Sequence, residues 1–279
     1  MPGPPAAAVP GDTTGGAPAD VPAGFRASAH GGARLVARDD AHDALAAALR
    51  TGTLHAWAAT QPGARALAGR QVAWAVRLVA LGDVVVRHSR HGGLFARLTT
   101  DVFLAPSRAP RELAVSQRLL AAGVRTPPVV GYATYSAHGP FCRADVVTSL
   151  VPGADLPAAW AAATDHRARN AIAAAVGSLV AAMARAGAVH PDLNVKNVLV
   201  GESAAGPAAW VLDVDRVTFP AVAEAEAAAR NLARLERSVA KWQREHALDL
   251  DCPAWDAVVT AARRTAAAPD AGSGAASPT

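Results

Sequence analysis

The chain has 279 residues, of which 51% are hydrophobic and only 18% charged, so it contains enough apolar material for one medium domain or two joined lobes. This composition excludes fibrous and wholly disordered proteins. Lys and Arg outnumber Asp and Glu by 27 to 23, and the net charge of +4 is too small to indicate nucleic-acid binding, although it permits an anionic partner. The basic residues are nearly all arginines, because Lys196 and Lys241 are the only lysines.

Cysteine usage and targeting signals point to the cytoplasm. Cys142 and Cys252 form no C-x-x-C motif or Cys/His cluster, which predicts neither a disulfide framework nor a zinc site. The first twenty residues lack the basic and apolar regions of a secretory signal. The longest apolar run, residues 171–184, is shorter than the roughly twenty residues that cross a bilayer.

In chain order, residues 1–24 are mainly Pro, Gly, Ala and Thr, so we expect a disordered tail there and again at residues 266–279. The runs QVAWAVRLVAL and DVVVRH predict a β-hairpin that turns at Gly82. RELAVSQRLLAA has helical spacing and ends at Gly123. VVGYATY and ADVVTSLV predict two further strands. We therefore expect a strand-rich N-lobe with one helix over residues 25–150.

The second half has a different character. Residues 158–186 are almost entirely Ala, Val, Leu, Ile and Met with arginines at intervals, which predicts one long buried helix. The segments HPDLNVKNVLV and AAWVLDVD follow, separated by a glycine-containing turn, and a helix is predicted over about residues 222–246 with a shorter one near Trp255. A helical C-lobe over residues 151–265 completes a two-lobed α+β chain.

The chemistry of the chain is concentrated in two segments, residues 190–197 and 211–215. They fit the pattern H-x-D-L-x-x-x-N followed by an apolar strand that ends in Asp, which is typical of protein-kinase-like phosphotransferases. In that chemistry an aspartate faces the acceptor hydroxyl, while an asparagine and a second carboxylate supply the hard oxygen ligands that Mg²⁺ prefers. The alternative interpretation is structural, with Asp192 capping a helix and Asn197 as an ordinary loop residue.

The same segments resemble a more specific family. HPDLNVKNVLV and VLDVDR are similar to the DLN-x-x-N-I-L and L-I-D-F-D-R signatures of the bacterial lipopolysaccharide core kinases, which include 3-deoxy-D-manno-octulosonic acid (Kdo) kinases and heptose kinases. VVVRHSRHGGL, RAPRELAVSQRLLAAGVRTPPVVGY and RADVVTSLVPGADL resemble other blocks of that family in the same order. The resemblance extends from about Gly69 to Phe219.

This resemblance implies a protein-kinase-like fold and transfer of the γ-phosphoryl group of ATP to a sugar hydroxyl of the lipopolysaccharide inner core. ATP and Mg²⁺ are the implied cofactors, and the implied acceptor is an anionic glycolipid, Kdo-bearing lipid A. The protein is then cytoplasmic, with peripheral contact to the inner membrane. On this resemblance Asp192 is the catalytic base, Asn197 and Asp213 hold Mg²⁺, and Glu112 positions a cation that binds phosphate.

The identity of that cation is left open between two arginines. Neither lysine lies in the N-lobe, so the usual strand lysine is absent. Arg87, at the end of DVVVRH, is the favoured candidate because a guanidinium grips phosphate with two hydrogen bonds and also pairs with Glu112. Arg97 competes, since it aligns roughly where relatives carry a lysine after Gly-Gly.

Other residues carry weaker predictions. Gly69 resembles the remnant of a glycine loop that covers the nucleotide. Lys196 is predicted either to contact the γ-phosphate or acceptor or to be solvated. His190 is predicted to tether the catalytic loop to the metal strand. Asp215 is either a second carboxylate near the metal or a partner for Arg216.

The N-lobe segment RHSRHGG, residues 87–93, is basic and glycine-containing, which suits either an oxyanion or plain solvation. Departures from the family pattern at Ser89, His91, Val214 and Lys196 leave the identity of the acceptor open. Two alternatives therefore stand beside the lipopolysaccharide kinase. One is a kinase for a soluble aminoglycoside, choline or amino sugar, and the other is a pseudokinase that binds nucleotide without turnover.

Overall fold

A computed structural model describes residues 21–67, 72–89, 103–105 and 107–246, together with four positions between 253 and 260. The strands in these ranges are β1 Phe25–His30, β2 Ala33–Arg38, β3 Arg65–Leu67, β4 Ala73–Leu78, β5 Gly82–His88, β6 Phe103–Leu104, β7 Val129–Ser136, β8 Phe141–Ser149, β9 Ala154–Asp155, β10 Val198–Ser203 and β11 Gly206–Val211. The α-helices are α1 His42–Leu49, α2 Leu54–Ala59, α3 Ala109–Ala121, α4 Leu156–Ala162, α5 His166–Arg185 and α6 Glu224–His246.

The first half of the chain forms one antiparallel sheet in the order β1-β2-β7-β8-β5-β4-β3, with β6 paired to β8. The predicted hairpin is β4–β5, in which Val76 lies opposite Val84. Helices α1 and α2 pack on one face of the sheet, and α3 packs on the other. The predicted combination of a strand-rich first half with a helical second half is confirmed, and the class is α+β.

Two helices and three strands before β4 have no counterpart among the predicted elements. The strands FRASAH and ARLVAR form a hairpin across Gly31 and Gly32, and Gly31 has a φ of +59° that favours glycine in this turn. The alternation of apolar and polar residues in FRASAH was the available signal. The predicted tails lie outside the described residues except for 21–24, and the lobe boundary at residue 150 stays a prediction.

The long predicted helix of the second half is two helices, α4 and α5. The chain is not helical at residues 163–165, and the Asp165 carboxylate accepts a hydrogen bond from the backbone N–H of Ala168 at 2.7 Å. This is an N-terminal cap, so Asp165 starts a new helix where composition alone favours continuation. Helix α5 then supplies much of a core that includes Trp160, Met183 and Leu193.

The small sheet β11-β10-β9 holds the segment that follows β8 against the helical half. Two glycines allow the backbones to touch, because a Cβ on Gly153 would lie 2.4 Å from the carbonyl oxygen of Val200, and one on Gly201 would lie 2.3 Å from that of Pro152. Neither position has room for a side chain. The joint between the two halves is therefore fixed next to β10, the strand that follows the catalytic motif.

Candidate active site

His190 joins the loop after α5 to the end of β11. Its side chain is buried, its Nδ1 accepts a hydrogen bond from the Asp192 backbone N–H at 3.1 Å, and its Nε2 lies 3.2 Å from the carbonyl oxygen of Leu212. Because Nδ1 accepts, the remaining proton of the neutral ring is on Nε2 and is donated to Leu212. Burial lowers the pKa of His190, which keeps the ring neutral. These contacts match the predicted tethering role.

A pH-dependent stability follows from this buried ring. Above pH 6.5 the ring is neutral in both folded and unfolded chains, whereas below it the unfolded chain binds a proton that the folded chain does not. We expect wild-type stability to fall below about pH 6.5 with an extra slope of up to about 1.4 kcal/mol per pH unit. His190→Gln should be less stable at neutral pH but lack this slope, as measured by denaturant unfolding at several pH values. Parallel stability curves for the two proteins would contradict the neutral buried ring.

Two asparagines hold the backbone of Asp192. The side-chain amides of Asn194 and Asn197 both donate to the Asp192 carbonyl oxygen, each at 3.0 Å. Asn194 Oδ1 also accepts the N–H groups of Lys196 and Asn197, so Asn194, and not Asp192, caps the short 3₁₀ turn Val195–Asn197. Because the NH₂ of Asn197 is engaged, its side-chain oxygen is the atom left for a cation.

Asp213 follows β11 in a left-handed conformation with φ 58° and ψ 46°. Among the described residues it is the only non-glycine residue with positive φ. The preceding Leu212 N–H donates to the carbonyl oxygen of Asn197 at 2.9 Å, which brings the end of the strand next to the loop. A left-handed aspartate costs about 1–2 kcal/mol, and strain of this kind concentrates at functional positions.

Arg87 on β5 and Glu112 on α3 form an ion pair within the interior. The Glu112 side chain is only 6% exposed and that of Arg87 is 31% exposed. Burial raises the pKa of Glu112 while Arg87 opposes the rise, and Asp213 is close enough to act on both groups. The next residue, His88, points to the other face of the sheet, where its Nδ1 lies 2.6 Å from the buried carboxylate of Asp145.

Helix α3 is fastened to the turn that follows Asp213. Arg111 donates to the carbonyl oxygens of Asp215 and Val217 at 2.9 and 3.1 Å, and Arg108 lies 3.3 Å from the Asp215 carboxylate. Burial, together with nearby Asp213, raises the pKa of Asp215. The described partner of Asp215 is therefore Arg108 rather than Arg216, and these contacts set the position of Glu112 relative to Asp213.

The Asp192 carboxylate lies between two arginines, neither of which was predicted from the sequence as its partner. Arg234 on α6 places Nη2 2.7 Å from Oδ1 and donates from Nε to the Pro191 carbonyl oxygen at 3.1 Å. Arg216 places Nη1 3.7 Å from Oδ2. The Asp192 side chain is 34% exposed, so an acceptor can still reach it.

Helix α6 supports the catalytic loop along its length. Asn231 accepts from the His190 N–H and donates to the Ala188 carbonyl oxygen, and Ser238 Oγ accepts from the Val195 N–H. With Arg234 between them, these side chains recur every three or four residues on one face of the helix. Two buried polar residues on an otherwise apolar helix face, Asn231 and Ser238, were the signal available in the sequence.

The remaining predicted site residues either make other contacts, as Lys196 does, or lie outside the described residues. Lys196 pairs with Asp155, the residue that caps α4, and its ammonium group lies 5.6 Å from the centre of the Trp242 ring. Gly69 and Arg97 lie outside the described residues, as do Arg90 to Gly93 of the basic segment. The structure thus brings together Arg87 with Glu112 and Asp192 with Asn197, and the hydrogen bond from Leu212 to Asn197 brings the adjacent Asp213 to the same loop.

Comparison with known proteins gives a consistent match. A model of the lipopolysaccharide kinase (Kdo/WaaP) family matches residues 55–255, which include every predicted site residue. The chain is 32% identical to the 3-deoxy-D-manno-octulosonic acid kinase of Photobacterium profundum over 197 residues, which cover 67% of this chain and 77% of that protein. Kinases of the same name from Vibrio vulnificus strain YJ016 and Xylella fastidiosa strain 9a5c are 30% and 28% identical, over 66% and 70% of this chain and 76% of each relative.

A solved structure, described as WaaP in complex with acyl carrier protein, aligns with 75% of this chain and 88% of its own at 19% identity and a TM-score of 0.42.

Proposed function

The chain belongs to the lipopolysaccharide kinase (Kdo/WaaP) family, and from that membership we propose that it transfers the γ-phosphoryl group of ATP to a hydroxyl of a Kdo residue in the lipopolysaccharide inner core. It is an ATP-dependent kinase that acts on a sugar hydroxyl. The observation that supports the proposal most directly is that His190 accepts a hydrogen bond from the Asp192 N–H and donates one to the Leu212 carbonyl oxygen. These two bonds hold the loop of Asp192 and Asn197 beside the strand that ends at Asp213.

In this proposal Asp192 orients the acceptor hydroxyl and takes its proton. The hydroxyl oxygen attacks the γ-phosphorus in line, the bond to the departing ADP breaks, and the proton remains on the Asp192 carboxylate. Asn194 and Asn197 fix the backbone of Asp192, and Arg234 fixes its carboxylate. The loop is thus held in one arrangement before substrate binds, and such positioning is a major part of catalysis in phosphoryl transfer.

Arg87, Asn197 and Asp213 are the proposed ligands of the ATP phosphates and the metal ion. Arg87 grips phosphate oxygens with its guanidinium, and Glu112 keeps that guanidinium in place. The Asn197 side-chain oxygen and the Asp213 carboxylate are hard donors of the kind that Mg²⁺ prefers, so the residues present fit this ion. When bound there, Mg²⁺ supplies neutralisation of the charge on the phosphates.

The proposed acceptor is an anionic glycolipid, which places the reaction at the cytoplasmic face of the inner membrane. In the described part of the chain, no helix combines the length and the apolar character needed to cross a bilayer. Four basic residues recur on one flank of α6, and the second of them contacts Asp192: Arg230, Arg234, Arg237 and Lys241. Glu226 and Glu245 pair with the first and the last, which leaves the flank with a net positive charge. Such a basic flank gives an electrostatic reason for contact with an anionic membrane surface.

The test is acceptor profiling with purified protein, ATP and Mg²⁺. We expect mass spectrometry to show one added phosphate on Kdo-bearing lipid A, and no transfer to an aminoglycoside or to choline. Transfer to one of these soluble compounds, and not to the glycolipid, would identify a small-molecule kinase instead. Thermal stabilisation by ATP without turnover on any of the three acceptors would identify a nucleotide-binding pseudokinase.

A further inference from the structure

We propose that Arg216 recognises a carboxylate on the acceptor sugar, close to the hydroxyl that receives the phosphoryl group. The inference rests on the proposed function and extends it to the chemistry by which the acceptor is selected. It makes Arg216 a specificity-determining residue and distinguishes it from Arg234, which holds the catalytic base.

The first observation is the charge balance around Asp192. Two guanidinium groups, from α6 and from the 3₁₀ turn after Asp213, lie against one carboxylate. Each arginine is permanently charged, so two cations contact the single carboxylate that the acceptor hydroxyl must reach. A neutral sugar has no charged group to pair with these guanidinium groups, whereas an acidic sugar pairs with them through its carboxylate.

The second observation is that the two arginines are held differently. Arg234 is hydrogen-bonded to both the backbone of Pro191 and the side chain of Asp192, and its side chain is 28% exposed. Arg216 is 53% exposed, and its described contact is the single 3.7 Å approach to Asp192 Oδ2, which is too long for a hydrogen bond. Its rigid fork of five N–H donors therefore faces solvent and matches the geometry of a carboxylate.

Arg216 also limits the access of the acceptor hydroxyl to the base, Asp192. Its guanidinium lies beside Oδ2, the oxygen of Asp192 that Arg234 does not hold, so it competes with an incoming hydroxyl for that atom. A carboxylate on the acceptor draws the guanidinium away and leaves Oδ2 for the hydroxyl. A charged hydrogen bond spans about 2.8 Å and the guanidinium lies 3.7 Å from Oδ2, so the carboxylate and the reacting hydroxyl lie within about 9 Å of each other. That distance restricts both groups to one sugar ring or its immediate neighbour.

The test compares two acceptors with two proteins. Kdo-bearing lipid A is used with its Kdo carboxylate intact or converted to the amide, and each is given to the wild-type full chain and to Arg216→Gln. We expect wild type to prefer the acid by about 100-fold in kcat/KM, since a lost partner in a charge-assisted hydrogen bond costs this much. Arg216→Gln should lose most of its activity with the acid but react with the amide several-fold faster than wild type, because the base is no longer obstructed.

Controls separate this effect from a loss of structure. Arg77→Gln removes another exposed arginine in an ion pair of similar length, 3.6 Å to Asp83. This variant should leave kcat/KM unchanged for both the acid and the amide acceptor. Arg216→Lys should retain part of the preference for the acid. A raised KM for ATP in Arg216→Gln, or an equal loss with acid and amide, would overturn the inference.

The wild-type protein alone distinguishes a failure of the role of Arg216 from a failure of the proposed function. If wild type phosphorylates acid and amide equally well, Arg216 has no part in selection and the kinase assignment stands. If wild type phosphorylates neither glycolipid, the proposed function fails and the role of Arg216 fails with it.

Discussion

An Asp192→Asn variant is expected to transfer phosphate at least about 100-fold more slowly than wild type, with little change in ATP affinity. Asparagine has the shape of aspartate but cannot take the acceptor proton, so the loss falls on kcat. The loop should keep its structure, because Asn194 and Asn197 bind the backbone carbonyl of residue 192 and not its side chain. The lost ion pair to Arg234 is partly exposed, and such pairs contribute at most about 1 kcal/mol.

Asp155→Asn is the matched control for this variant. Asp155 also pairs with a basic residue of the catalytic loop, Lys196, and it caps α4, a role that asparagine fills equally well. The control should therefore retain wild-type turnover and thermal stability. Single-turnover transfer from labelled ATP measures the chemical step directly. Normal transfer by Asp192→Asn, with ATP affinity preserved in both variants, would show that Asp192 is not the base.

Arg87→Gln is expected to lower kcat/KM for ATP by about 10²–10³-fold, because it removes the proposed phosphate ligand and leaves Glu112 buried without its partner. Breaking a buried ion pair on one side costs about 3–5 kcal/mol, so the unfolding free energy should fall as well. The double variant Arg87→Gln/Glu112→Gln replaces two charges with two amides that can bond to each other. It should regain much of the stability, yet remain as inactive as the single variant.

This separation of stability from activity decides whether the pair is functional. Denaturant unfolding measures the unfolding free energy of each variant, and initial rates over a range of ATP concentrations measure its kcat/KM for ATP. If the double variant regains both, the pair only supports α3. Arg97→Gln tests the competing cation, since a loss of ATP affinity there with normal affinity in Arg87→Gln would transfer the role to Arg97.

Local patterns in the sequence were sufficient to select the residues of the candidate site, whose roles stay predictions. The spacing from His190 to Asn197 fits within one loop, and the absence of lysine from the N-lobe directed the choice to Arg87, which the structure places against Glu112. The hairpin β4–β5, with its partly alternating β-branched runs, and helix α3, with its helical spacing, lie close to where these patterns predicted them.

The parts that were not predicted depend on long-range contact or on weak local signals. Arg234 and Asn231 meet the catalytic loop across more than forty residues, so a polar residue on the apolar face of α6 indicates a buried contact without identifying the catalytic loop as its partner. Asp165 interrupts an alanine-rich stretch whose propensity favours an unbroken helix. The elements before β4 are short and half buried, so their periodicity is faint.

The dependence of the catalytic loop on α6 has a consequence for biosynthesis. The loop residues His190 and Val195 receive their supports from side chains 41 and 43 positions later in the chain. At typical rates of translation these supports are made roughly 2–8 s after the loop itself. A nascent or prematurely terminated chain can thus contain the whole kinase motif, with buried backbone groups that have no partners, and have no organised active site. Phosphoryl transfer becomes available only when α6 has been synthesised and has docked.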